Sequence, residues 1–74
     1  MNRFPDKATV ERVRAMYPPG SRVELFEMNN PFSSLKPGDM GTVEFVDDAA
    51  GIHIRWDNGS SLAAIWGVDC VKIL

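Results

Sequence analysis

The sequence predicts a mainly β domain: a small five-stranded barrel preceded by one short N-terminal α-helix. Three observations predict it. The stretch Lys36–Gly59 holds two alternating apolar/polar runs joined by a short loop, the period-2 pattern of half-buried strands. An earlier segment, closed by Pro18-Pro19-Gly20, carries its apolar residues at helical spacing instead. Finally, 74 residues that are 45% hydrophobic and 24% charged make one globular domain, with a core limited by its size.

Asp6 is the expected N-cap of a helix over about Lys7 to Tyr17, with Pro5 before it. Val10, Val13 and Tyr17 form one stripe with Met16 at its edge, and Lys7, Glu11, Arg14 and Ala15 lie opposite. Two prolines and a glycine stop the helix, because proline cannot donate to it. About three turns do not hold in water alone, so the stripe packs on the barrel or meets a partner helix.

The first strand is expected over Arg22 to Met28, with Val23 and Leu25 on one face. Phe26 and Met28 break the alternation, which calls for a bulge or for cover on both faces. Asn29 to Asp39 then forms a loop with two prolines and a glycine, long by the standard of domain connections. Its apolar members, Phe32 and Leu35, either fold inward over the end of the barrel or stand as anchors of a recognition loop.

Gly41 opens the second strand, with Val43 and Phe45 expected on one face and Thr42 and Glu44 on the other. Asp47-Asp48-Ala49-Ala50-Gly51 is a hairpin loop, with Gly51 available for a positive φ. Ile52, Ile54 and Trp56 face the core from the third strand, and His53 and Arg55 face solvent. Asn58-Gly59 predicts a two-residue type I′ turn that sets the register of a fourth strand from Ser60 to Trp66. Gly67-Val68-Asp69 turns the chain into a short closing strand from Cys70 to Leu74. Five short strands with one long early loop describe a closed SH3-like barrel. Residues 1–19 form the helical segment packed on it and residues 20–74 the barrel itself.

Three stretches also resemble a known family. Pro19-Gly20-Ser21-Arg22-Val23-Glu24-Leu25, Lys36-Pro37-Gly38-Asp39-Met40-Gly41-Thr42-Val43 and Ile52–Leu62 with its Trp-Asp-Asn-Gly-Ser-Ser-Leu core look like a family of small bacterial and phage proteins classed as a domain of unknown function. The resemblance covers almost the whole chain and implies no functional residue. More distantly, Gly-x-x-Gly-Thr-Val with Trp-Asp-Asn-Gly is similar to the KOW motif, which implies contact with RNA or RNA polymerase. It is also similar to the Mind bomb/Herc2 domain, which implies protein binding.

Charge separates these implications. Residues 1–22 hold five cations against two acids, a net of +3, and residues 23–74 hold three against eight, a net of −5. Nucleic acid selects clustered Lys and Arg, so any such contact is expected on the leading segment, at Arg3, Lys7, Arg12 and Arg14. For a protein partner, the expected contact is Asn29, Asn30, Phe32 and Leu35 of the long loop, together with Trp66. Aromatics near a strand end serve well as interface anchors.

Catalytic chemistry finds little support. His53 is the one histidine and has no Ser or Cys nucleophile at motif spacing. Cys70, the one cysteine, excludes an internal disulfide and reads as a small buried hydrophobe. One His and one Cys do not complete a structural zinc site. Asp47, Asp48 and Asp57 match no calcium loop and read as turn formers. No enzyme, cofactor or metal is expected.

The expectation is a non-enzymatic binding module for an unidentified protein or peptide. The alternatives are a nucleic-acid accessory using the basic helix and a self-associating structural protein; for the oligomeric state, monomer and homodimer both stay open. No apolar run reaches the ~20 residues of a membrane span, and the first residues lack the apolar stretch of a signal peptide. With a single cysteine, a cytoplasmic setting is expected.

Overall fold

The computed structural model describes residues 6–28 and 34–74. Its elements are α1 (Lys7–Met16), β1 (Arg22–Glu27), β2 (Met40–Val46), β3 (Gly51–Trp56), β4 (Ala64–Ile65) and β5 (Cys70–Ile73). All strand pairs are antiparallel, in the order β4-β3-β2-β1-β5. The mainly β class with one leading helix is therefore observed. The expected closure is not: no ladder joins β4 to β5, and they approach only through their turn and a Trp66–Asp69 bridge.

The helix starts as its residues dictate. The Asp6 carboxylate accepts the Thr9 backbone N–H at 2.8 Å, which satisfies one of the free donors of the first turn. Val10, Val13 and Tyr17 are all buried, so the stripe packs on the sheet. Helix and sheet close over one core with Val23, Leu25, Leu35, Val43, Val46, Ala50, Ile52, Ile54, Trp56, Ala64 and Val71. Trp56 is fully buried, and its indole N–H donates to the Leu62 carbonyl at 2.8 Å. A buried indole needs such an acceptor.

Two irregularities decide what the outer face presents. Between Leu25 and Glu27 the β1–β5 register shifts, which leaves Phe26 unpaired and half-exposed. The broken alternation of β1 thus has its bulge. A second shift falls between Val43 and Phe45 in the β2–β3 ladder. It turns Phe45 outward while Val46 returns to the core, so Phe45 does not share the face of Val43 as the alternation predicts.

The turns depart from expectation in two places. A type I′ turn requires positive φ at both Asn58 and Gly59, and of these only Gly59 has it, at +93°. Trp56 N–H donates to the Ser60 carbonyl and Gly59 N–H to the Trp56 carbonyl, so the loop is the three residues Asp57-Asn58-Gly59. From Ser60 the chain arches over the Trp56 ring instead of pairing, and the fourth strand shrinks to Ala64–Ile65. In the β2–β3 hairpin it is Ala50, at φ +59°, that adopts the left-handed conformation, and not Gly51. Gly51 is needed for another reason: a Cβ there would meet the Asp47 carboxylate at 2.7 Å.

Candidate functional site

The clearest surface feature lies at the β4–β5 turn, Ile65-Trp66-Gly67-Val68-Asp69. Ile65, Trp66 and Val68 are exposed by 44%, 39% and 52%, a concentration of apolar surface on five residues of chain. The turn itself is tightly held. Val68 and Asp69 N–H groups both donate to the Ile65 carbonyl, at 3.0 and 2.9 Å. The Asp69 carboxylate accepts the Ile65 N–H at 2.9 Å, and Gly67 takes the positive φ that the reversal requires. Trp66 rests edge-on against Tyr17, with centroids 6.4 Å apart. Tyr17 is fixed in turn by its hydroxyl, which donates to the Val71 carbonyl at 3.1 Å. Burial pushes the Tyr17 phenol above its ordinary pKa, and the nearby Cys70 adds to the shift.

The other expected contact residues fall elsewhere. Asn29, Asn30 and Phe32 lie outside the described residues. Leu35 is buried in the core, the inward one of its two readings, and therefore offers a partner no surface. Cys70, expected to be buried, is exposed at the start of β5, because Val71 and not Cys70 pairs with Leu25 over the core.

Arg3 also lies outside the described residues; on the helix, Lys7 and Arg12 are exposed. Arg14 is engaged within the fold. Its Nε donates to the Val46 carbonyl at 3.1 Å and its Nη2 to Asp48 at 2.8 Å, tying α1 to the β2–β3 hairpin. Lys7, Val10, Arg14 and Asp48 line a cleft of about 340 Å³ at this junction.

The aspartates act singly and do not converge. Asp47 builds the hairpin: its Oδ1 accepts the Ala49 and Gly51 N–H groups, and its Oδ2 lies 2.7 Å from His53 Nε2. Burial raises its pKa and is the largest single influence, but the His53 and backbone hydrogen bonds together outweigh it, so the carboxyl sits below its ordinary value. Asp57 receives Arg22 through two hydrogen bonds, at 2.8 and 2.6 Å, and these hold its carboxyl low. Among the described residues no three His, Cys, Asp or Glu side chains gather to hold a metal. No helix there is long and apolar enough to cross a membrane.

Sequence reasoning missed the Phe45–His53 stack. The two rings lie parallel within 9° at 4.2 Å, on the outer face, with the Asp47 carboxylate bound at the edge of the His53 ring. Only the shift between Val43 and Phe45 brings them side by side, and no residue pattern signals that shift.

Fold and surface together define a small mainly β domain with a packed helix and an exposed apolar turn. The chain belongs to the family described as domain of unknown function (DUF4314), which it matches over residues 6–74. No curated protein and no solved structure is matched.

Proposed function

We propose that this domain is a non-enzymatic protein-interaction module whose contact surface is the Ile65–Val68 turn. The supporting observation is the exposure of three large apolar side chains on one rigidly bonded turn. Preorganised aromatic and aliphatic anchors lose little conformational entropy on binding. The acidic balance of residues 23–74 favours a protein over a polyanion. The nucleic-acid reading keeps Lys7 and Arg12 on the described helix, but Arg14 is already occupied by Asp48 and Val46. A reducing, cytoplasmic setting suits an exposed lone cysteine.

A photo-crosslinking side chain placed at Val68, with a control at Glu11 on the outer helix face, tests the proposal. A specific protein captured from Val68 alone, and lost in Trp66→Ala, is the expected result. Equal capture from both positions, or capture that survives Trp66→Ala in a folded variant, refutes the assignment.

A further inference from the structure

The loop Asp57-Asn58-Gly59 is built for a reaction at its central residue. Asn58 is exposed and is followed by an exposed glycine. Its Oδ1 accepts the Ser60 backbone N–H at 2.9 Å, an Asx turn that folds the side-chain amide back over the Asn58–Gly59 peptide. Gly59 has no side chain to crowd its nitrogen, and the space a Cβ would take is open. The other asparagines lack such a neighbour. Asn2 precedes Arg3, Asn29 precedes Asn30, and Asn30 precedes Pro31, whose nitrogen has no hydrogen to give up.

Attack of the Gly59 nitrogen on Asn58 Cγ closes a five-membered ring. The nitrogen loses its proton to water, the new C–N bond forms, and the Cγ–Nδ2 bond breaks with release of ammonia. Water then opens this succinimide at either carbonyl, giving aspartate or isoaspartate. Negative charge develops on Oδ1 in the tetrahedral step, where the Ser60 N–H already donates; a donor fixed at that place stabilises it. One restraint opposes the reaction: the Gly59 N–H donates to the Trp56 carbonyl at 3.0 Å and must leave it first. That bond belongs to an exposed loop, whose local opening costs far less than global unfolding.

We propose that Asn58 is a site of spontaneous modification in the folded protein, passing through a succinimide to isoaspartate, and that the product releases the chain covering Trp56. Isoaspartate routes the backbone through the side-chain methylene and so adds one atom to the main chain of the loop. That loop is closed by the Trp56 N–H on the Ser60 carbonyl at 2.8 Å. Two residues further on, Leu62 supplies the acceptor of the buried indole. A lengthened loop misplaces both carbonyls. The site is separate from the Ile65–Val68 turn, and either assignment can fail without the other.

The test incubates the full chain, warm and at neutral pH, beside the same chain unfolded in urea. Peptides are read by mass spectrometry and by isoaspartyl methyltransferase labelling. In the folded sample the peptide bearing Asn58 is expected to gain the mass of amide-to-acid exchange and to accept the methyl label. Asn2, Asn29 and Asn30 are expected to keep their amides. Asn58→Gln, which would need a larger ring, is expected to lose the label. The isoaspartyl form is then isolated from Trp66→Phe protein, with Asn58→Asp as its charge-matched control. It is expected to show red-shifted, more readily quenched Trp56 emission and a lower thermal midpoint than that control. An Asn58 amide that persists in the folded chain while the urea sample converts overturns the proposal. So does equal conversion at Asn29, or an isoaspartyl form whose Trp56 is quenched no more than in Asn58→Asp.

Discussion

The Tyr17 hydroxyl donates to the Val71 carbonyl at 3.1 Å, joining the end of the helical segment to strand β5 across 54 residues of chain. Val71 lies on the sheet's edge strand, where a carbonyl not used by β1 needs a partner. This bond helps the helix cover a sheet whose edges do not meet. Tyr17→Phe is expected to cost about 1–2 kcal/mol, since it leaves a buried acceptor unsatisfied. Because burial raises the phenol's pKa above the ordinary 10.0, the folded state favours the neutral ring. That contribution is present below pH 10 and is lost as pH rises through the folded value. Urea melts of wild type and Tyr17→Phe at pH 7 and pH 11 check both points. The variant should lose less stability at the alkaline end.

Gly41 is required by close approach and not by its backbone angles. A Cβ there would lie 2.6 Å from Ile54 Cγ2 and 2.9 Å from the Arg55 carbonyl oxygen. Gly41→Ala is expected to destabilise by about 1–3 kcal/mol through overpacking of the β2–β3 pair. Gly20→Ala meets no neighbour but strains a φ of +90°. The crossed comparison in denaturant distinguishes contact from conformation: only at Gly41 should Ile54→Leu, which lacks the Cγ2 methyl, relieve part of the cost.

Acid should loosen the hairpin and the helix start together. Asp6 is held low by its hydrogen bonds from Thr9, Asp57 by Arg22, and Asp47 by His53 and the loop amides against the opposing effect of burial. A carboxyl whose folded pKa is depressed contributes stability that is present above its unfolded value of about 3.8 and lost as pH falls through the folded one. The midpoint should therefore drop between pH 4 and pH 2. Asp47→Ala, which removes two backbone acceptor contacts as well as the histidine pair, is expected to cost about 1–2 kcal/mol at pH 7. Thermal melts across that pH range should show a shallower acid limb for Asp47→Ala than for wild type.

The two tryptophans should report separately. Trp56 is 1% exposed and Trp66 39%. Trp66→Phe should leave blue-shifted emission that acrylamide barely quenches. Trp56→Phe should leave red-shifted, readily quenched emission and lower stability by about 1–3 kcal/mol, because the Leu62 carbonyl loses its donor. Similar quenching in the two variants would contradict the burial assignments.

Arg14 should behave as a structural residue. Arg14→Ala removes the links to Val46 and Asp48. The pair is solvent-exposed, so the loss should stay within about 1 kcal/mol, while amide shifts appear at Val46 and Asp48. Arg12→Ala should leave those amides unchanged.

Local patterns made much of this protein legible in its residues. Asp6 before an apolar stripe, Pro18-Pro19-Gly20 after it, and the strict alternation of Ile52, Ile54 and Trp56 mark helix and core wherever they occur, because capping and side-chain period act over a few residues. Trp66 keeps the partial exposure expected of an interface anchor, whereas Leu35, also expected as a contact residue, is buried in the core. Tertiary structure alone decided the rest. Register shifts at Phe26 and Phe45 arise from pairing with another strand, so one residue's offset moves a side chain to the opposite face. The three-residue loop at Asp57-Asn58-Gly59 goes with an indole that needs the Leu62 carbonyl, and the sheet stays open with Tyr17 joining the helix to its edge. Those are contacts between residues distant in sequence or set by the final packing, and they decide which apolar side chains are left exposed.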